Sequence, residues 1–235
     1  YDNAKAEAVG NATAIGASVG VNKASAKQAT TVKVDLGKGI YKTDSLTVTG
    51  SNTAALDAAA KGVTIGGYFA SGTNETDLDG QLTTQVTAAG ADTASSLGDV
   101  TLRSSGYGDL KGKADGSGGG YINISPVAAR ANTNLTTDTR TSVSGNWEAS
   151  SLTASATNSD TLDVTANSLT AAVLNGSGTE VDTTVSHKAQ TDVTGSVTTR
   201  GSQAYTAANE VNHAVELKGN GYGGATVNAN SMTSN

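Results

Sequence analysis

The chain has 235 residues, 36% hydrophobic and 15% charged, with a formal net charge of −6, a single proline and no cysteine. The missing cysteine excludes disulfides and thiolate metal sites, and an acidic balance with scattered Lys and Arg argues against a nucleic-acid surface, which needs clustered cations. Aromatic residues are only 4%, so a core must be narrow and built from Val, Leu, Ile and Ala, and one proline with modest charge argues against a disordered chain.

Taken from the start, Ala14-Ile15-Gly16-Ala17 is the first of five glycine- or alanine-rich stretches. The others are Thr64-Ile65-Gly66-Gly67, Gly119-Gly120-Tyr121-Ile122, Ala171-Ala172-Val173-Leu174 and Gly221-Tyr222-Gly223-Gly224-Ala225. Small residues of this kind suit closely apposed backbones. Between them, apolar and polar residues alternate with a period of two over 30–36 and 45–49, which predicts half-buried strands. The alanine-rich run 53–61 has helical propensity, but Leu56 aligns with Leu110 and Leu162 in strand-like surroundings, so it is assigned to a strand. Further strands are predicted at 82–87, 100–102, 121–124, 162–164, 181–185 and 193–197. Gly50-Ser51-Asn52, Ser104-Ser105-Gly106, Asp115-Gly116-Ser117-Gly118 and Asn175-Gly176-Ser177-Gly178 read as turns between short strands.

These elements recur. An apolar residue followed by Thr appears at Leu46, Val100, Leu152 and Tyr205, with successive steps of 54, 52 and 53. Ten residues after each stands Leu56, Leu110, Leu162 or Val215, and ahead of them run Val32, Val86, Val143 and Val193. Repetition at a fixed period signals units that bury their apolar faces against their neighbours, so these twelve residues are the expected core ladder. The repeats run approximately over 10–60, 61–117, 118–166 and 167–218, with a partial copy at 219–235, and are expected to form one solenoid segment of a longer chain. Two coils of about 26 residues per repeat predict an all-β, right-handed parallel β-helix of about nine coils, roughly 40 Å long at about 4.8 Å per strand spacing.

Phrases such as Ser45-Leu46-Thr47-Val48-Thr49-Gly50-Ser51-Asn52-Thr53 and Asp192-Val193-Thr194-Gly195-Ser196-Val197-Thr198 resemble coils of the large bacterial β-helical exoproteins. These are the filamentous-haemagglutinin-like and leukotoxin-like filamentous adhesins and the autotransporter passengers. The resemblance covers the whole chain in texture and period and has no diagnostic motif. It implies secretion to the bacterial surface or beyond and a role in adhesion, biofilm or cell contact, and it carries over no binding residue.

Candidate chemistry is sparse. Asp77 and Asp79, two apart, would share a face of a strand and form a carboxylate pair, and Asp160, Asp163 and Asp182 are further acidic candidates. His187 and His213 are separated by the expected length of one coil and would stack. The glycine clusters lack the Lys and Ser/Thr of a phosphate loop, and no calcium-binding nonapeptide is present. Sequons occur at Asn11, Asn74, Asn123, Asn134 and Asn175, while Trp147, Tyr107, Tyr121, Tyr205 and Tyr222 are the residues able to stack on sugars. The expectation is therefore a non-enzymatic structural or adhesive segment, extracellular or on the bacterial surface, without cofactor or metal. Its expected partners are copies of itself stacked end to end or laterally, flanking coils of the same chain, and surface glycans or proteins. Nucleic acid binding and membrane insertion of this segment are not expected. The alternative is a carbohydrate-active β-helix enzyme, a polysaccharide lyase or hydrolase or a phage depolymerase.

Overall fold

A computed structural model describes residues 2–90 and 95–234, and every element in it is a strand. In chain order these are β1 (Asp2–Ala14), β2 (Ala17–Gly39), β3 (Thr43–Gly66), β4 (Phe69–Gly90), β5 (Ser95–Thr199), β6 (Gln203–Tyr222) and β7 (Ala225–Ser234). The alanine-rich run 53–61 lies within β3, with Ala54, Leu56, Ala58 and Ala60 buried and the intervening residues more exposed. Period-two burial has overridden helix propensity there.

All pairing is parallel. β1 pairs β3, and β2 pairs β4, at a step of 52 that sets Leu56 opposite Ala4 and Leu78 opposite Ala26, with one shift in β2 between Leu36 and Gly39. Side chains bridge the same step: Asn22 donates to Asn74, and Asn11 accepts from the Val63 N–H, each 52 residues away. β3 pairs β5 at a step of 54, as in Leu110 opposite Leu56, and β4 pairs β5 at 53 and then 55. The two extra residues fall in the stretch that holds Pro126, which has no N–H to give a ladder. β6 and β7 each lie on β5 at a step of 51. Within the long β5 the step is again carried by side chains, since Asn123 donates to Asn175 and Asn167 to Asp115, both 52 residues away.

This register differs from the expected coil. The ladder neighbour is a whole repeat away, so the expected pair of short coils per repeat is not what the hydrogen bonds describe. The residue half a repeat away lies across the core: Thr30 donates to Asn52, and Thr137 to Asp160, 22 and 23 residues apart. The chain therefore coils as two facing layers. One contains β1, β3, residues 97–119 and 152–171 of β5, and β6; the other contains β2, β4, residues 122–144 and 174–183 of β5, and β7.

Strands of 22 to 24 residues, such as β2, β3 and β4, replace the short ones expected. The stretches expected to turn at 50–52 and 104–106 run inside strands because their small residues point inward. A Cβ on Gly106 would stand 2.7 Å from Thr137 Cγ2 and 3.1 Å from Asn158 Oδ1, so glycine there lets the layers close. Gly106→Val should consequently lower stability by about 1–3 kcal/mol through overpacking, measurable as a fall in thermal midpoint by circular dichroism.

The core is divided. One apolar cluster includes Leu56, Leu78, Leu82, Leu110, Leu135, Leu162 and Val181, and a second includes Val86, Val100, Leu102, Val143, Trp147 and Leu152. Between them runs a belt of buried polar side chains. Asn52 donates to the Thr30 and Thr83 carbonyls, Ser104 and Thr141 share a 2.8 Å hydrogen bond, and Asn158 donates to Thr137 O, Lys188 O and Asn209. These bonds offset the cost of burying amides and hydroxyls, while Asn158 Oδ1 and Thr139 Oγ1 are buried without a hydrogen bond.

The predicted glycine-rich stretches form one edge, where the chain crosses between layers. A Cβ on Gly67 would fall 1.8 Å from Ile15 O, and one on Gly223 1.9 Å from Ala172 O, so only glycine fits. At the opposite edge Gly145 adopts φ 82°, and Tyr41 stacks on Trp147 with ring centroids 6.0 Å apart.

Candidate functional site

Outward side chains stack from coil to coil as inward ones do. On the second layer this produces a column of alternating charge, Lys23, Glu75, Arg130 and Glu180, in which Lys23 Nζ lies 2.9 Å from Glu75 and Arg130 donates to Glu180. On the first layer Lys5, Asp57 and Lys111 are successive partners, and Lys5 lies 3.6 Å from Asp57. Exposed pairs of this kind contribute little stability each, but they oppose lateral slippage of one coil on the next.

The expected core ladder is placed as follows. Leu46 is the direct partner of Val100, and Leu56 of Leu110. Val86, Val143, Val100, Leu152, Leu56, Leu110 and Leu162 are buried, while Leu46, Val32, Val193 and Val215 are half-buried and Tyr205 is 43% exposed. At four other positions the ladder partner is offset by two. Val86 lies on Val34 rather than Val32, Val143 on Ala88, Tyr205 on Ala154 and Val215 on Val164. A slip of two leaves every side chain on its own face, which is why the sequence frame still marks the inward positions.

Of the acidic candidates, Asp77 and Asp79 do share the outer face, and Lys27 lies 3.7 Å from the first and 4.0 Å from the second. Ser25 and Asn134 also donate to them, so the pair is held in a surface ion cluster. Asp160 and Asp163 lie on opposite faces: Asp160 is fully buried, and Asp163 and Asp182 are exposed. Among the sequons, Asn74, Asn123 and Asn175 are buried and hydrogen-bonded inside the core, which leaves only Asn11 and Asn134 accessible.

The most perturbed groups were only half anticipated. Asp160 accepts hydrogen bonds from the Gly108 N–H and, at 2.8 Å, from Thr137 Oγ1. Its Oδ2 lies 2.9 Å from His187 Nε2, a close contact without hydrogen-bond alignment, and neither His187 nitrogen has an aligned partner. Burial raises the Asp160 carboxyl above its ordinary range, opposed by Thr137, Gly108 and His187. Burial lowers the His187 imidazole, opposed by Asp160 and assisted by repulsion from His213. His213 is paired with Leu162 on the first layer, so His187 and His213 are not ladder neighbours. Among the described residues, no three His, Asp or Glu side chains converge to hold a metal ion. The separation of Asp160 and His187 by half a coil was the signal available in the sequence.

An open trough of about 460 Å³ lies on the first layer, lined by Tyr107, Asp109, Lys111, Thr161, Asp163 and His213. It has the mixed charge of the surrounding columns and no enclosing wall. No family model, no curated protein and no solved structure matches this chain.

Proposed function

We propose that this chain is a structural and adhesive segment of an extracellular bacterial β-helical adhesin or surface filament, a right-handed solenoid of about four and a half coils. The observation that supports it is the uniform parallel ladder, in which every strand pairs with the strand one whole repeat away and each coil contacts only its neighbours. Such a body lengthens by repetition without a new core. The crossover rule supports right-handedness, since parallel strands joined within one sheet connect in that hand in about 98% of cases. β6 and β7 are paired on one side only among the described residues, and their free edges offer the same ladder to flanking coils or to another copy. Surface glycans or proteins are the proposed targets of adhesion, with no cofactor involved.

Beads coated with the purified chain should be retained on epithelial monolayers above beads coated with an unrelated β-protein. The same preparation, incubated with neutral and acidic polysaccharides, should release no new reducing ends or unsaturated sugars. Retention equal to the control would sink the adhesive reading, and sugar release would move the chain to the carbohydrate-active alternative.

A further inference from the structure

The glycine-rich edge differs from the rest of the surface. Residues 10–22, 62–74, 116–129, 168–179 and 219–229 contain no Asp, Glu, Lys, Arg or His. Stacking aligns these five segments into one uncharged edge with a margin on each layer. The charged columns begin only beyond it, at Lys61, Asp115 and Lys218 on the first layer and at Lys23, Glu75, Arg130 and Glu180 on the second. Most of the exposed large apolar side chains of the described residues lie within this edge, among them Ile15 at 93% and Tyr68 at 72%. A contiguous apolar surface rimmed by charge marks a contact surface.

The margins also have relief. On the second layer Val19 and Val21 are paired with Ser71 and Thr73 of the next coil. Ile124 stands on the coil after that, followed by Gly176 one step of 52 residues on, and Gly176 pairs with Val227. Large and small rows therefore alternate. On the first layer Val63 and Ile65 are paired with Ser117 and Gly119, and Leu169 stands one further step of 52 residues along. With strands about 4.8 Å apart, ridges recur about every 10 Å, with grooves of equal width between them.

We propose that these two margins are lateral docking surfaces for second copies of the same chain, the Val19, Val21, Ile124 and Val227 ridges seating in the grooves of a neighbour shifted by one coil. Only a body with the same coil rise matches this period along its length, and an uncharged margin meets itself without opposing like charges or stranding a desolvated one. A margin about 20 Å deep over the observed coils offers roughly 400 Å², against about 800 Å² per partner in a stable interface. Each pairwise contact is thus weak. Because every copy carries a margin on both layers, association continues sideways into sheets or bundles of parallel rods. This deepens the filament reading by naming its lateral contact.

Sedimentation velocity and small-angle scattering from about 10 μM to about 1 mM, the range that resolves weak association, test it. The wild-type chain should show a sedimentation coefficient that rises with concentration and a cross-section that broadens. Gly176→Leu fills a groove, and since an added Cβ there meets nothing within 4 Å, the fold should be unaffected. Gly176→Leu and Ile65→Lys should each weaken association at least about tenfold with an unchanged circular dichroism spectrum, whereas Thr31→Lys, on the outer face away from the margin, should not. A wild type that stays monomeric throughout, association indifferent to both margin variants, or growth in length without growth in cross-section would overturn the proposal. So would a monomeric chain that instead floats with phosphatidylcholine vesicles. Bead adhesion reads none of these quantities, so the two proposals fail separately.

Discussion

Leu110→Ala is expected to lower the stability of the chain by about 3 kcal/mol, within the range for a fully buried leucine that leaves a cavity. Leu110 is 0% exposed, is the ladder partner of Leu56, and shares its cluster with Leu162 and with Leu135 from the facing layer. The neighbours cannot collapse into the vacated space, because each is fixed by parallel hydrogen bonds on a rigid strand. For a chain of this size that loss corresponds to a fall in the thermal midpoint of about 6–12 °C. Leu46→Ala, at a half-buried position of the same expected ladder, should cost less than half as much. Thermal denaturation followed by circular dichroism separates the two cases. Equal losses at Leu110 and Leu46 would show that the fully buried leucine cluster between the layers is not the stabilising core.

The strands were legible because alternation of period two persists wherever one face is buried, and Thr47 with Thr101 and Leu56 with Leu110 are true partners. The coil length was not legible. The observed repeat divides naturally into two short coils, and strands are ordinarily about five or six residues long. What hid the long strands was the polar interior. Gly50, Asn52, Ser104 and Gly106 carry the chemistry of turns, yet here they face inward, where the amides and hydroxyls bond across the core and the glycines let the layers approach. The same ambiguity affected the histidines. Their spacing suggested that His187 and His213 stack, but half a coil places residues on opposite layers, and the side chain in close contact with His187 is Asp160. The lateral margins could be recognised only once the register had aligned five uncharged segments that lie whole repeats apart in sequence.

Asp160→Asn is expected to stabilise the chain wherever Asp160 is ionised, and Asp160→Leu to destabilise it by about 2–4 kcal/mol, although both remove the same charge. The raised Asp160 pKa means that this group favours the folded state only while protonated. That contribution is fully present below the ordinary carboxylate pKa and is lost as pH rises through the raised folded value. The lowered His187 pKa acts at the other end. Neutral His187 imposes no cost above its ordinary value of 6.5, and stability falls as pH drops below that value, because protonation must then occur in a buried place. As pH rises through the raised Asp160 pKa, the carboxylate becomes a buried charge that a neutral imidazole does not compensate. Asparagine removes that charge while its amide oxygen still accepts from the Gly108 N–H and its NH₂ can donate to the Thr137 hydroxyl. Leucine leaves the Gly108 N–H and the Thr137 hydroxyl without their acceptor. Midpoints measured from pH 4 to pH 8 should show the advantage of Asp160→Asn over wild type shrinking toward the acid end, as Asp160 takes up its proton. An asparagine variant clearly less stable than wild type at every pH from 4 to 8 would overturn this reading and mark the Asp160–His187 contact as a stabilising buried ion pair.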